Sequence, residues 1–292
     1  NKMARFFKVL AWAAFFGSVS VAGYYHAMWD NSWEGKSHRH FLSNNICPNC
    51  LIAQRTKQPV PPEFPVAWRK ILNCKVAHYR NLPLGLRQKL EPLILKFIGR
   101  VDFKVPDGLE LTEEMKVCVA AEACLLILHR GWDCYRHLRS IDIFSSEWKP
   151  RRANFATVGS ATGQRVWLLW DPSRRSMVHG SDGINIVLHE FAHVIDFASA
   201  DGRPDGIPQM KDMQTRQKWN HFCERAYKHI CQERGLGQIP FREYATTSKA
   251  EFFACATSLF IEKPHKMKRD WPEIYRHLRE YYGLNPSSWG DE

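Results

Sequence analysis

His189-Glu190-Phe191-Ala192-His193-Val194-Ile195-Asp196 is the stretch on which the reading of this chain turns. Two histidines four residues apart lie on one face of an α-helix, one turn from each other. Their imidazoles can converge on a single Zn²⁺, with Glu190 beside the metal to act on its water. The flanks read as a buried helix. Asp182-Gly183 offers a start, Ile184, Val187, Leu188, Phe191, Val194 and Ile195 supply an apolar face, and Gly202 with Pro204 closes the segment. That context, more than the H-E-x-x-H spacing by itself, favours a metal site over two ordinary helix histidines.

A catalytic zinc takes three protein ligands and keeps a fourth position open for water. A third histidine in the metzincin place would fall at Ser199, which excludes that class. The downstream carboxylates are Asp196, Asp201, Asp205, Glu243, Glu251 and Glu262. Glu251 suits best, because it opens a helix with an apolar body (Phe252, Phe253, Ala256, Leu259, Phe260) and can project from the core into a cleft. The plainer alternative is that Glu251 only favours the helix N-terminus. Asp196, one turn beyond His193, is placed to orient a histidine or a neighbouring backbone group. A local salt bridge at the helix end would account for it equally.

The chain has 292 residues, 45% of them hydrophobic and 13% aromatic, enough for a packed core without repeats or low-complexity tracts. Its net charge of +11 invites a nucleic-acid reading. The basic residues of 130–139, 149–152 and 263–269 are interspersed with acids, and no helix-turn-helix or RNA-binding signature accompanies them. A solvated basic surface, facing water or anionic lipid, is expected, and no nucleic acid.

Residues 9–29 are 21 consecutive uncharged positions, largely apolar, with Trp12 towards one end and Tyr24, Tyr25 and Trp29 at the other. They lack a small-residue cleavage site, so an uncleaved single-pass anchor is expected rather than a signal peptide. Lys2, Arg5 and Lys8 before it and Lys36, Arg39, Arg55 and Lys57 after it leave its orientation open. The nine cysteines are odd in number, and Cys118, Cys124, Cys223, Cys231 and Cys255 fall within apolar helical patterns, which suits a reducing, cytoplasmic side for the folded domain. Cys47-Pro48-Asn49-Cys50 is a lone C-x-x-C with no second pair, read as an oxidisable loop pair.

Three parts follow: an anchor over 1–30, a polar tether over 31–63, and a folded domain over 64–292. Within the last, residues 68–78 and 84–98 read as helices, the second interrupted or kinked by Pro92. Thr112 caps a helix over 115–129 that is apolar nearly all round and so central. Residues 141–144 and 166–170 read as short strands. The second lies just upstream of the zinc motif, where an edge strand can pair with an extended substrate. An amphipathic helix over 214–234 carries Trp219, Phe222, Ala226 and Ile230, another spans 250–261, and Asp270-Trp271-Pro272-Glu273 spells a capping box for a last helix ended by Gly283.

His189-Glu190-x-x-His193-x-x-Asp196, Tyr244-Ala245 and Glu251-Phe252-Phe253-Ala254 together resemble the Mlc titration factor A family of zinc peptidases. The segments 119–126 and 139–141 are similar too, so the resemblance covers about residues 64–282. It implies an α+β, mostly helical, zincin-like metallopeptidase domain with a small sheet, here preceded by the membrane helix. It implies His189, His193 and Glu251 as ligands of one Zn²⁺, Glu190 as general base and Tyr244 as oxyanion stabiliser. The expected reaction is hydrolysis of a peptide or protein, an aminopeptidase with a regulatory role being one form of it. The resembled family is chiefly soluble and binds a transcriptional repressor; the apparent anchor and basic balance here are departures. The alternative is therefore a membrane-tethered, zinc-containing protein that sequesters a transcriptional regulator.

Overall fold

The described chain opens on three helices, α1 (Val66–Lys75), α2 (Ala77–Asn81) and α3 (Leu84–Arg100). The computed structural model describes residues 60–106, 108–145, 159–199, 202–232 and 243–290. The expected anchor, the tether with Cys47 and Cys50, the 149–152 cluster and Asp201 lie outside them. Among the described residues no helix is long and apolar enough to cross a membrane. The helix expected over 68–78 is two, because Val76 is extended (φ −126°, ψ 103°) and the chain turns there. Pro92 sits inside α3 without ending it.

The central helix is α4 (Glu113–Leu126). Thr112 Oγ1 accepts from Met115 N at 3.2 Å, and Glu113 and Glu114 complement the positive helix end. Every residue from Val117 to Leu126 is buried, as a helix apolar all round requires. It stops short of His129, in a turn closed by Gly131 N on Ile127 O.

Four strands, β1 (Asp102–Lys104), β2 (Ser140–Phe144), β3 (Gly159–Ala161) and β4 (Arg165–Leu169), form one sheet in the order β1-β2-β4-β3. The pairs β1–β2 and β2–β4 are parallel and β3–β4 antiparallel, with Gly159 opposite Leu168. The strand expected at the edge, β4, is therefore interior. The edge belongs to β3, which the sequence reading missed. A tight hairpin makes the exchange: Thr162 N donates to Arg165 O at 2.8 Å, and Thr162 Oγ1 accepts from Arg165 N. Trp170 leaves the sheet and starts α5 (Trp170–His179).

Next come α6 (Ile186–Phe197), α7 (Met213–Gln232), α8 (Lys249–Glu262), α9 (Pro264–Asp270) and α10 (Pro272–Tyr282). Asn185, not Asp182, caps α6: its Oδ1 accepts from Leu188 N at 3.0 Å. Asp182 shapes the turn before it by accepting from Ile184 N. In α7, Trp219, Phe222 and Ile230 are buried, as its apolar stripe predicts. The capping box expected at Asp270 is absent. Asp270 ends α9 and pairs with Lys266 and Arg269, while Trp271 precedes Pro272 at the first position of α10 with no side-chain cap. Gly283 (φ 66°) closes α10 as expected.

The α6 and α8 helices pack antiparallel: Asn185 meets Ser258 and Glu262, His189 meets Cys255, and His193 meets Glu251. Phe191 fixes the far face of α6, with ring centroids 5.8 Å from Phe97 and 5.4 Å from Tyr135. In the basic cluster at 130–139, Arg136 and Arg139 are exposed as expected, and two arginines also make backbone hydrogen bonds. Arg130 donates to Gln209 O and Arg136 to Ala198 O, each at 2.8 Å, tying down the segment after α6. Cys118, Cys124, Cys223 and Cys255 are buried free thiols.

Candidate metal centre

The α6 helix sets the His189 and His193 rings edge to face, with centroids 4.9 Å apart. Their Nε2 atoms are 3.2 Å from each other, and Glu251 Oε2 lies 3.1 Å from the first and 3.3 Å from the second. Among the described residues these three are the group of donors able to hold a metal ion. The triangle fits one. Ligands about 2.0–2.1 Å from a tetrahedral ion are separated by about 3.3–3.4 Å.

Glu251 reaches the histidines through its capping position. Ser248 Oγ accepts from Glu251 N at 3.1 Å, so Ser248-Lys249-Ala250-Glu251 has the S-x-x-E spelling of a capping box. The carboxylate instead turns to the two imidazoles and to Tyr244. The electrostatics show how strongly the group calls for positive charge. Burial opposes ionisation of Glu251, but His193 and His189 outweigh it and hold its carboxyl well below the usual range. Burial likewise disfavours the charged form of His189, yet Cys255 and Glu251 raise its pKa well above the ordinary value. Three converging lone pairs without a metal take up a proton. With a metal they are a ligand set.

Glu190 is buried, and burial, opposed by the two histidines, pushes its carboxyl above the usual range. It lies against the start of β3. A Cβ at Gly159 would stand 2.8 Å from Glu190 Oε1 and 2.9 Å from its Cγ, so only glycine lets the strand approach the carboxylate this closely. Tyr244 sits in a 3₁₀ turn (Glu243–Thr246), its hydroxyl 3.1 Å from Glu251 Oε1 and its ring centroid 6.1 Å from that of His189. Burial and the nearby Glu251 and Glu190 raise its pKa.

Asp196 orients a backbone group rather than a histidine: its Oδ2 accepts from Gly206 N at 2.8 Å. Burial raises its carboxyl to about 7. Asp205 and Glu262 are engaged elsewhere. Asp205 takes Arg216, and Glu262 belongs to a buried cluster that sequence reasoning missed. In that cluster His78 Nδ1 lies 2.9 Å from Glu122 Oε1, and its Nε2 is 3.3 Å from Glu262 Oε1, close enough to pair though not aligned as a hydrogen bond. Asn185 Nδ2 donates to both glutamates. Two glutamates, themselves paired with His78, thus hold the residue that caps α6. Nothing in their sequence spacing joins α2, α4 and α8.

The fold and this site define a metallopeptidase-type centre, and comparison with known proteins agrees. The family described as Glucose-regulated metallo-peptidase M90 matches residues 52–283, and the chain belongs to it. That family implies a metal ion, and the His-His-Glu group is one that could hold it. An uncharacterized protein of Synechocystis sp. is 28% identical over 249 residues, covering 80% of this chain and 88% of that one. The Mlc titration factor A proteins of Yersinia pestis and Yersinia pseudotuberculosis are each 23% identical over 239 residues, covering 77% of this chain and 86% of theirs.

Proposed function

We propose that this chain is a zinc-dependent peptidase in which His189, His193 and Glu251 hold one zinc ion and Glu190 is the general base. The observation that carries this reading is the 3.1–3.3 Å triangle of donor atoms with a buried carboxylate next to it on the same helix. When bound, zinc supplies Lewis acidity, drawing the pKa of water towards ~7 and polarising a carbonyl. The rest is the work of the chain's own groups. Glu190 takes the proton of the attacking water and delivers it to the leaving amine nitrogen. The Tyr244 hydroxyl, on turning from Glu251, donates to the oxygen that becomes negative in the transition state. The substrate, a peptide or protein segment, lies extended along β3, which among the described strands pairs only with β4. An aminopeptidase of regulatory role is the exopeptidase form of this proposal.

The name of the Yersinia relatives favours a second reading, in which the chain, tethered by residues 9–29, sequesters a transcriptional regulator instead of cutting peptides. Glu190→Gln separates the two, because the amide cannot take a proton from water. Zinc content should stay near one per chain, while turnover on a peptide and aminoacyl-anilide library falls by at least ~10²-fold. Full turnover in that variant, or turnover indifferent to chelator in the unaltered chain, would sink the peptidase reading.

A further inference from the structure

On the α1–α5 side of the molecule, a cleft of about 170 Å³ is lined by Cys74, Lys75, Arg174, Arg175, Val178 and His179. None of these belongs to the metal centre, and no acidic residue is among them. Lys75 and His179 stand in the last turns of α1 and α5, where positive charge complements the helix end. That explanation fails for Arg174 and Arg175, which lie inside α5. Neither their side chains nor that of Lys75 make a hydrogen bond or ion pair with a described residue. Elsewhere the described arginines are mostly committed: Arg69, Arg216 and Arg225 to carboxylates, Arg87, Arg130 and Arg136 to backbone carbonyls.

The walls of the cleft are fixed. Gly180 (φ 56°) seats the end of α5 directly against Ala77, where a side chain would collide. On the other face of α5, the buried Ser176 Oγ donates to Ser173 O at 2.8 Å and accepts from Ile186 N at 3.2 Å, pinning α5 to the first turn of α6. The cationic face is therefore held outward by a buried framework, not left to a loop. Three uncompensated cations gathered in one concavity repel one another unless an anion joins them. Guanidinium groups present planar pairs of donors that match phosphate oxygens. The volume of about 170 Å³ is below the ~300–1,000 Å³ of sites for drug-sized ligands and suits the seating of a compact anionic group.

We propose that this cleft binds a phosphate group, as inorganic phosphate or a small phosphate monoester. Arg174 and Arg175 hold its oxygens from one wall, and Lys75 closes on it from the other. The same headgroup chemistry is offered by a soluble ester and by phosphatidic acid in a membrane, so two arms are needed. In the first, the full chain is titrated calorimetrically with inorganic phosphate and with glycerol phosphate, against chloride at equal ionic strength. In the second, it is co-sedimented with phosphatidylcholine vesicles with and without phosphatidic acid.

Saturable binding is expected in one arm, the arm naming the source. It should weaken at least ~10-fold in Arg174→Gln/Arg175→Gln, a loss of about 1.4 kcal/mol. Lys75→Gln, on the opposite helix, should weaken it independently. Arg175 is exposed and Arg174 and Lys75 are half-buried with no described ionic partner, so the melting temperature, measured alongside, should stay in place. Binding no stronger than chloride in both arms would overturn the proposal. So would phosphate binding that survives the double substitution and disappears in His193→Ala, since the anion would then belong to the metal centre.

Discussion

The Tyr244 hydroxyl donates to Glu251 Oε1 at 3.1 Å, while the other oxygen of that carboxylate faces both His189 and His193. The tyrosine thus holds the oxygen that the histidines leave over. Under the proposed mechanism Tyr244→Phe keeps its ring and loses the donor. kcat should fall by about 10²-fold, as for a lost oxyanion donor, with KM and zinc content little changed. A change confined to KM would assign Tyr244 to ordinary substrate binding.

Gly159→Ala tests whether β3 fixes the general base. The new methyl group would stand 2.8 Å from Glu190 Oε1, and the carboxylate is buried, so it has to be displaced by a fraction of an ångström or more. Misplacing a reacting group by about 1 Å costs on the order of 10² in rate. kcat/KM should therefore drop ~10–10²-fold while zinc remains bound, because no ligand is touched. A fully active variant would show that the strand does not hold Glu190 in place.

The buried cluster at the start of α6 makes a pH prediction. Burial opposes the charge on His78, but Glu122 and Glu262 outweigh it and raise its pKa to about 10, above its ordinary 6.5. A raised folded-state pKa means that the imidazolium stabilises the fold fully below pH 6.5, and that this contribution drains away as pH climbs through about 10. Urea midpoints of the unaltered chain and of His78→Gln should therefore differ most near pH 6 and converge towards pH 10. A gap that does not change with pH would mean that His78 is not the charged partner.

For residues 9–29 the expectation rests on sequence alone: 21 uncharged residues satisfy their backbone in a bilayer only as a helix. The full chain should stay with membranes through an alkaline carbonate wash, and removal of residues 1–30 should yield a soluble, zinc-binding domain. Release of the full chain by carbonate would dispose of the anchor. An impermeant thiol reagent applied to intact cells then tests the proposed cytoplasmic side, since rapid labelling of Cys47 or Cys50 would place the tether outside.

What the sequence disclosed followed from periodicity. The stripe of Trp219, Phe222 and Ile230 in α7, the all-apolar α4 and the histidine-bearing α6 are each long enough to show a repeat every three to four residues. So are the converging side chains, because His189 and His193 share one helix face and Glu251 opens another apolar helix. The strand β3 left no such trace. Gly159-Ser160-Ala161 has neither length nor alternation, and its place at the edge is set by the hairpin at Thr162 rather than by its own residues. Local caps misled where two acceptors competed: Asp182 and Asn185 both suit a helix start, and only packing against Glu122 and Glu262 selects the second. The pairing of His78 with Glu122 spans 44 residues, a range at which sequence spacing says nothing.

Because α6 and α8 run antiparallel, His193 and Glu251 meet across 58 positions of sequence. The donors of His189, His193 and Glu251 do not converge until those helices have docked, so under the proposed function uptake of an ion there reports the completion of folding rather than its onset. The entropy of closing such a loop grows only with the logarithm of its length. Much of the excursion from Phe197 to Lys249 is itself packed, through α7 and the segment that Arg130, Arg136 and Asp196 hold, which lowers that cost further. Under the proposed function a captured cation would act as a cross-link, and a protease cut within the excursion would leave two fragments that still travel as one molecule.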